Sequence, residues 1–141
     1  MSRIFFDTNL FIYLLEDAGE RGKRVAAMIE RILERRDHLL TSVLTLAEVL
    51  VKPLEAGDLA WADKYEKLLN TPGVSLLPFD RGAARLYADI RQDKTIKPPD
   101  LIQLACAAHA GCDLFITNDE RLSKKIVPGI HFITSLNRAF I

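Results

Sequence analysis

Residues 3–15 read Arg-Ile-Phe-Phe-Asp-Thr-Asn-Leu-Phe-Ile-Tyr-Leu-Leu. Arg3 to Phe6 is a short apolar run rich in β-formers, which predicts a strand. Asp7-Thr8-Asn9 is a cluster of capping residues, and Leu10 to Leu15 after it reads as a buried helix. A strand that hands over to a helix through polar caps opens an α/β alternation.

Outward from this stretch the alternation continues. Val25, Met28, Ile29, Ile32 and Leu33 keep helical spacing, so an amphipathic helix runs to about Arg36. Leu39 to Thr41 is a second strand. Val43 to Val51 is a helix apolar nearly all round, with Pro53 marking its end. Trp61, Tyr65, Leu68 and Leu69 give another helix, and Thr71-Pro72-Gly73 turns the chain into a strand over Val74 to Leu77. Ala83, Leu86, Tyr87 and Ile90 mark the next helix. Pro98-Pro99-Asp100 leads into a deeply packed helix from about Pro99 to Ala110, stopped by Gly111. Asp113 to Thr117 is a fourth strand, Glu120 to Lys125 a short helix, and Ile130 to Ile133 a fifth strand. Strands alternating with helices imply a parallel sheet covered on both faces.

The 141 residues fit one domain, residues 1–141, with 49% apolar and 27% charged residues. The 19 basic residues equal the 19 acidic ones, so any nucleic-acid contact must come from a local patch. Cys106 and Cys112 form no zinc motif and are expected as buried free thiols, which suits a reducing cytoplasm. The apolar stretches near the N-terminus are short and interrupted by Asp7, so neither a signal peptide nor a membrane span is expected.

In open α/β sheets ligands bind at the carboxyl ends of the strands. Asp7 follows the first strand, Glu48 lies in the helix after the second, and Asp119 comes two residues after the fourth. Asp100 opens the helix that runs back into the fourth strand, so it starts from the same edge. All four carboxylates can converge there. Taken singly, Asp7, Asp100 and Asp119 fit helix caps or first-turn acids equally well. Glu48 sits among apolar residues and is expected to be at least partly buried, where a lone carboxylate is costly. Four acids in one cleft require a compensating cation. Oxygen donors without a Cys/His set favour Mg²⁺ or Mn²⁺ over zinc, which points to metal-assisted phosphoryl chemistry.

The segments Ile4-Phe5-Phe6-Asp7-Thr8-Asn9, Thr45-Leu46-Ala47-Glu48, Pro98-Pro99-Asp100-Leu101-Ile102-Gln103-Leu104-Ala105 and Leu114-Phe115-Ile116-Thr117-Asn118-Asp119 together resemble a PIN domain. In layout the chain is most similar to the VapC-type toxins of toxin–antitoxin pairs. The resemblance implies a three-layer α/β/α sandwich around a mainly parallel sheet and a Mg²⁺- or Mn²⁺-dependent endoribonuclease. It makes Asp7, Glu48, Asp100 and Asp119 the acidic quartet, supported by Thr8, Asn9 and Thr117. It also implies a homodimer and a cognate antitoxin.

Arg121, Lys124, Lys125 and Lys97 lie near the acids in sequence and are candidate RNA contacts. Lys94 shares that weaker standing. The clusters Arg21, Lys23, Arg24 and Arg31, Arg35, Arg36 read as solvated helix faces. Leu10 to Leu15 offers apolar surface for an antitoxin or second protomer, or for the core. Two other readings compete. A receiver or Asp-nucleophile phosphatase domain would want paired acids or Asp-x-Asp, where this chain has Asp7-Thr8-Asn9. A non-catalytic interaction module on the same fold would not need the intact quartet.

Overall fold

The computed structural model describes residues 1–141. Five strands, β1 (Arg3–Phe6), β2 (His38–Ser42), β3 (Val74–Leu77), β4 (Leu114–Thr117) and β5 (Phe132–Ser135), form one sheet in the order β3-β2-β1-β4-β5. Every pairing is parallel. Six helices surround it: α1 (Thr8–Glu16), α2 (Glu20–Glu34), α3 (Val43–Glu55), α4 (Leu59–Leu69), α5 (Arg81–Ile90) and α6 (Pro98–His109). This is the expected α/β/α sandwich.

The pleat sorts the strand residues between two cores. Ile4, Phe6, Leu39 and Ile116 point to one face, where they meet Leu10, Phe11, Val25, Ile32, Val49 and Tyr65 of α1 to α4. Phe5, Leu40 and Phe115 point to the other, against Leu101, Leu104 and Ala108 of α6. This period of two on strands covered from both sides explains why they read as unbroken apolar runs. Phe5 and Phe115 stack across β1 and β4 with ring centroids 4.9 Å apart.

Three expectations need correction, and a fourth that was left open is decided. α3 runs past Pro53 to Glu55; burial of the proline ring offsets the one hydrogen bond its nitrogen cannot make. The expected helix over Glu120 to Lys125 shrinks to a single 3₁₀ turn, Leu122–Lys124. The fifth strand begins two residues late, because Ile130 is held in a turn by its N–H to the Val127 carbonyl and plugs the α6-side core instead. The helix over Leu10 to Leu15 is spent on the interior: Leu10 and Phe11 are fully buried and Ile12 to Leu15 pack against the same core. Cys106 and Cys112 are free and buried as expected. No helix is long and apolar enough to cross a membrane.

Candidate active site

The chain builds β1, β2 and β3 in one direction and then crosses to lay β4 and β5 on the other side of β1. Strand order therefore reverses between β1 and β4, and the crevice at their carboxyl ends is the natural ligand site of such a sheet. An open cavity of about 480 Å³ lies there, lined by Asp7, Glu48, Asp100 and Asp119 together with Thr8, Asn9, Asn118 and Gln103. The structure thus brings all four sequence-predicted acids to one cleft, with no histidine or cysteine among its walls.

Asp7 is the most enclosed of the four, at 8% exposure. It caps α1: Oδ1 accepts the Thr8 N–H at 2.9 Å, while Oδ2 accepts the Thr117 hydroxyl at 2.8 Å. Both the capping role and the cleft position are therefore real. Burial pushes its pKa above the ordinary 3.8; the Thr117 and Thr8 hydrogen bonds offset this in part, and Glu48 adds to it.

Asp100 stands in the first turn of α6, placed there by Pro98 and Pro99 at the helix start. It is half-buried and accepts no hydrogen bond from the protein. Burial first, then the charges of Asp7, Asp119 and Glu48, push it up to about 6, with Lys97 acting the other way. Asp119 is exposed; its Oδ1 accepts the N–H groups of Arg121 at 2.9 Å and Leu122 at 3.3 Å. That bond set tightens the chain into the 3₁₀ turn found in place of a helix. The Asp119 N–H in turn donates to Thr117 Oγ1 at 3.1 Å, so one buried threonine ties Asp7 to Asp119.

Glu48 is exposed, which corrects the expectation of burial. α3 is amphipathic after all: Thr45, Val49 and Pro53 are buried and Leu46 and Leu50 pack on the same core, while Val43, Ala47, Val51 and Leu54 are exposed. Glu48 Oε1 accepts the Thr8 hydroxyl at 2.7 Å, which holds it on the cleft side. Asn9 Nδ2 donates to Asn118 Oδ1 at 3.0 Å, closing the rim opposite α6. Among the residues named from sequence, Thr8 and Thr117 orient the acids directly, whereas Asn9 bonds Asn118 and none of the acids.

Sequence reasoning gave no role to Thr41, Ser42, Thr45 and Gln103. They form a buried polar cluster linked to Thr8 and Glu48 beneath the cleft. The available signal was Gln103 itself, an amide in the middle of an otherwise apolar helix.

The family implies a divalent metal, and the donor chemistry fits one. All donors are hard oxygens, and burial, with neighbouring acids adding to it, opposes the charge of Asp7 and Asp100, which a bound cation would offset. No three His, Cys, Asp or Glu side chains stand close enough to cage an ion by themselves.

A second cavity of about 760 Å³ shares Asp100 and Asp119 with the first. Lys97, Arg121 and Lys124 line it, are exposed, and form no ion pair. Lys125 also lines it, but its amine is held by Asp93 at 2.9 Å and by Thr95 at 2.7 Å.

The fold and cleft define an α/β/α protein with an acidic site at the reversal point of its sheet. The sequence profile of the PIN domain matches residues 4–126, and the chain belongs to that family. Solved structures of the same fold include VapBC2 from Rickettsia felis bound to a promoter DNA fragment, with a TM-score of 0.77 at 14% identity over 94% of this chain and 98% of that one. DNA-bound VapBC from Salmonella typhimurium gives 0.68 at 20% identity, covering 96% and 99%. VapBC-5 from Mycobacterium tuberculosis, described as a member of a family of toxin–antitoxin systems, gives 0.61 at 23% identity, covering 96% and 99%. No curated protein matches the chain.

Proposed function

We infer that residues 1–141 form one metal-dependent endoribonuclease unit that hydrolyses RNA phosphodiester bonds, and that it is the toxin of a toxin–antitoxin pair. The observation that carries this reading is the cleft itself: four carboxylates on one cavity, with Asp100 pushed up to about 6 by burial first and by its acidic neighbours second. Such a site gains from a divalent cation and from the phosphate that accompanies it.

Asp7 and Asp100 would hold the ion, with Glu48 and Asp119 holding it directly or through water. When bound, Mg²⁺ or Mn²⁺ supplies positive charge at the scissile phosphate and lowers the pKa of an attacking water. The protein's own part is orientation. Thr117 fixes Asp7, Thr8 fixes Glu48, and the backbone N–H groups of Arg121 and Leu122 fix Asp119. Lys97, Arg121 and Lys124 hold flanking phosphates in the adjoining groove. Lys125, bound to Asp93 and Thr95, braces the groove wall and is at most a secondary contact.

The antitoxin reading is supported by the toxin–antitoxin complexes that share this fold. Val51, Leu54 and Leu59 leave apolar side chains exposed on α3 and α4, which supports a protein partner or a second protomer there. The reading places the protein in the cytoplasm, where its RNA substrate is found.

The test is cleavage of total cellular RNA by purified protein with Mg²⁺ or Mn²⁺, beside EDTA and Asp100→Asn controls. Fragments that vanish in both controls are expected. RNA left intact by wild-type protein, or cut equally by folded Asp100→Asn, refutes the assignment.

A further inference from the structure

Gln103 lies three residues after Asp100 on α6, between Ile102 and Leu104, and is 1% exposed. A buried primary amide must find partners for two N–H donors and a carbonyl. Gln103 finds them all. Its Nε2 donates to Thr8 Oγ1 at 3.0 Å and to Thr45 Oγ1 at 2.8 Å, and its Oε1 accepts the Ser42 hydroxyl.

Each hydroxyl has one proton to give, and that fixes the rest. Thr41 Oγ1 lies 2.8 Å from the Phe6 carbonyl and 2.8 Å from Thr45 Oγ1. The carbonyl has no proton, so Thr41 is the donor there, and Thr45 Oγ1 also lies 3.1 Å from Thr8 Oγ1. Thr8 Oγ1 accepts from Gln103 and sits 2.7 Å from Glu48 Oε1, so its proton goes to the carboxylate. The path from the Gln103 amide through Thr8 to Glu48 then runs in one direction.

The order depends on which way the amide faces. Turned by 180°, Gln103 would present its carbonyl to Thr8 and Thr45 and claim their protons. Thr8 would have none left for Glu48. In the orientation present, Oε1 accepts the Ser42 hydroxyl and Nε2 leaves the Thr8 proton to Glu48.

We propose that Gln103 is a positioning residue of the acidic cleft: by fixing the direction of the Thr8 proton, it holds the Glu48 carboxylate in place as a metal-site ligand. It lines the cleft wall and reaches Glu48 through Thr8. The proposal rests on the metal-nuclease reading for what Glu48 does, and extends it to a residue that carries no charge.

The test compares wild type with Gln103→Met, which keeps the side chain's length and removes both donors. Three quantities are measured: Mn²⁺ affinity of the metal-free protein from the free-ion EPR signal, kcat and KM for RNA cleavage, and the folded fraction by circular dichroism. Per folded molecule, Mn²⁺ affinity and kcat should each fall by roughly 10- to 100-fold with KM unchanged. Thr8→Val should lose as much, and the double variant should lose no more than Thr8→Val alone, because one residue acts through the other. If Gln103→Met does not fold, Ser42→Ala takes its place: it frees the amide to turn and should lower Mn²⁺ affinity several-fold. Folded variants with wild-type Mn²⁺ affinity and kcat overturn the proposal, as does a double variant whose losses multiply. A wild type that binds Mn²⁺ but cleaves no RNA refutes the ribonuclease reading and leaves the Mn²⁺ comparison to decide on Gln103. A wild type that binds no Mn²⁺ overturns both.

Discussion

Asp100→Asn should stabilise the metal-free protein at neutral pH while it destroys the site. Asp100 accepts no protein hydrogen bond, so asparagine forfeits none. Its carboxyl titrates near 6 in place of 3.8 because burial and three neighbouring acids oppose its charge. A shift of about 2 pKa units is worth about 3 kcal/mol against the ionised form, as an upper bound. Solvent at the half-buried carboxyl screens part of that. The negative charge is also worth about 0.3–1 kcal/mol at the α6 N-terminus, and asparagine gives this up. About 1 kcal/mol of net stabilisation remains, or a rise of about 4 °C in Tm for a domain of this size. The native state holds this proton more tightly than the unfolded chain does. The contribution therefore favours folding fully below pH 3.8 and is lost as pH rises through about 6. The advantage of Asp100→Asn should accordingly appear between pH 4 and pH 7 and level off above. Urea and thermal unfolding in EDTA at pH 4, 5, 6 and 7 would read it, and saturating Mg²⁺ should cancel or reverse it. An equal stability difference at pH 4 and pH 7, or a variant less stable than wild type at pH 7, would refute the electrostatic account of the cleft.

Three further outcomes follow from named contacts. Thr117→Val removes the hydroxyl that joins Asp7 to the Asp119 N–H at a fully buried position; urea unfolding should register a loss of about 1–3 kcal/mol. Gly22→Ala would place a methyl 1.8 Å from the Asp17 carbonyl oxygen and 2.7 Å from that of Tyr13, where α1 and α2 meet. Overpacking there should cost about 1–3 kcal/mol, seen as a lower urea midpoint with m unchanged. Lys124→Ala should weaken RNA binding across all sequences and reduce the salt slope by about 1, measured by fluorescence anisotropy from 50 to 200 mM salt. An unchanged slope would remove Lys124 from the groove's phosphate contacts.

How much of this could be read beforehand depended on what each residue contacts. β1 and β3 were legible to the residue, because turn chemistry bounds their apolar runs on both sides. The convergence of Asp7, Asp100 and Asp119 was legible because parallel topology alone carries them to one edge. Glu48 was read wrongly in one respect. Hydropathy saw an apolar helix, but Val43, Val51 and Leu54 are exposed, and only the tertiary arrangement tells which side of α3 meets the core. The turn after Asp119 was misread as a helix because its side chain, not the backbone ladder, takes the first N–H groups. Ile130 looked like strand and serves as a plug; spacing does not distinguish the two. Thr41, Ser42, Thr45 and Gln103 were invisible as a group, since a shared set of protons leaves no periodic mark.

The central strand has a consequence for synthesis on the ribosome. β1 is made first, yet one of its two neighbours, β4, pairs with it only after another 110 residues have been made, Ile4 lying opposite Leu114. At about 5–20 residues per second, Phe5 waits on the order of 5–20 s for the ring of Phe115 that covers it. The same delay separates Asp7 from Asp119, the last of the acids. A chain ending before residue 119 carries an incomplete quartet, so the acidic cleft cannot be complete until β4 and the turn after it have been made.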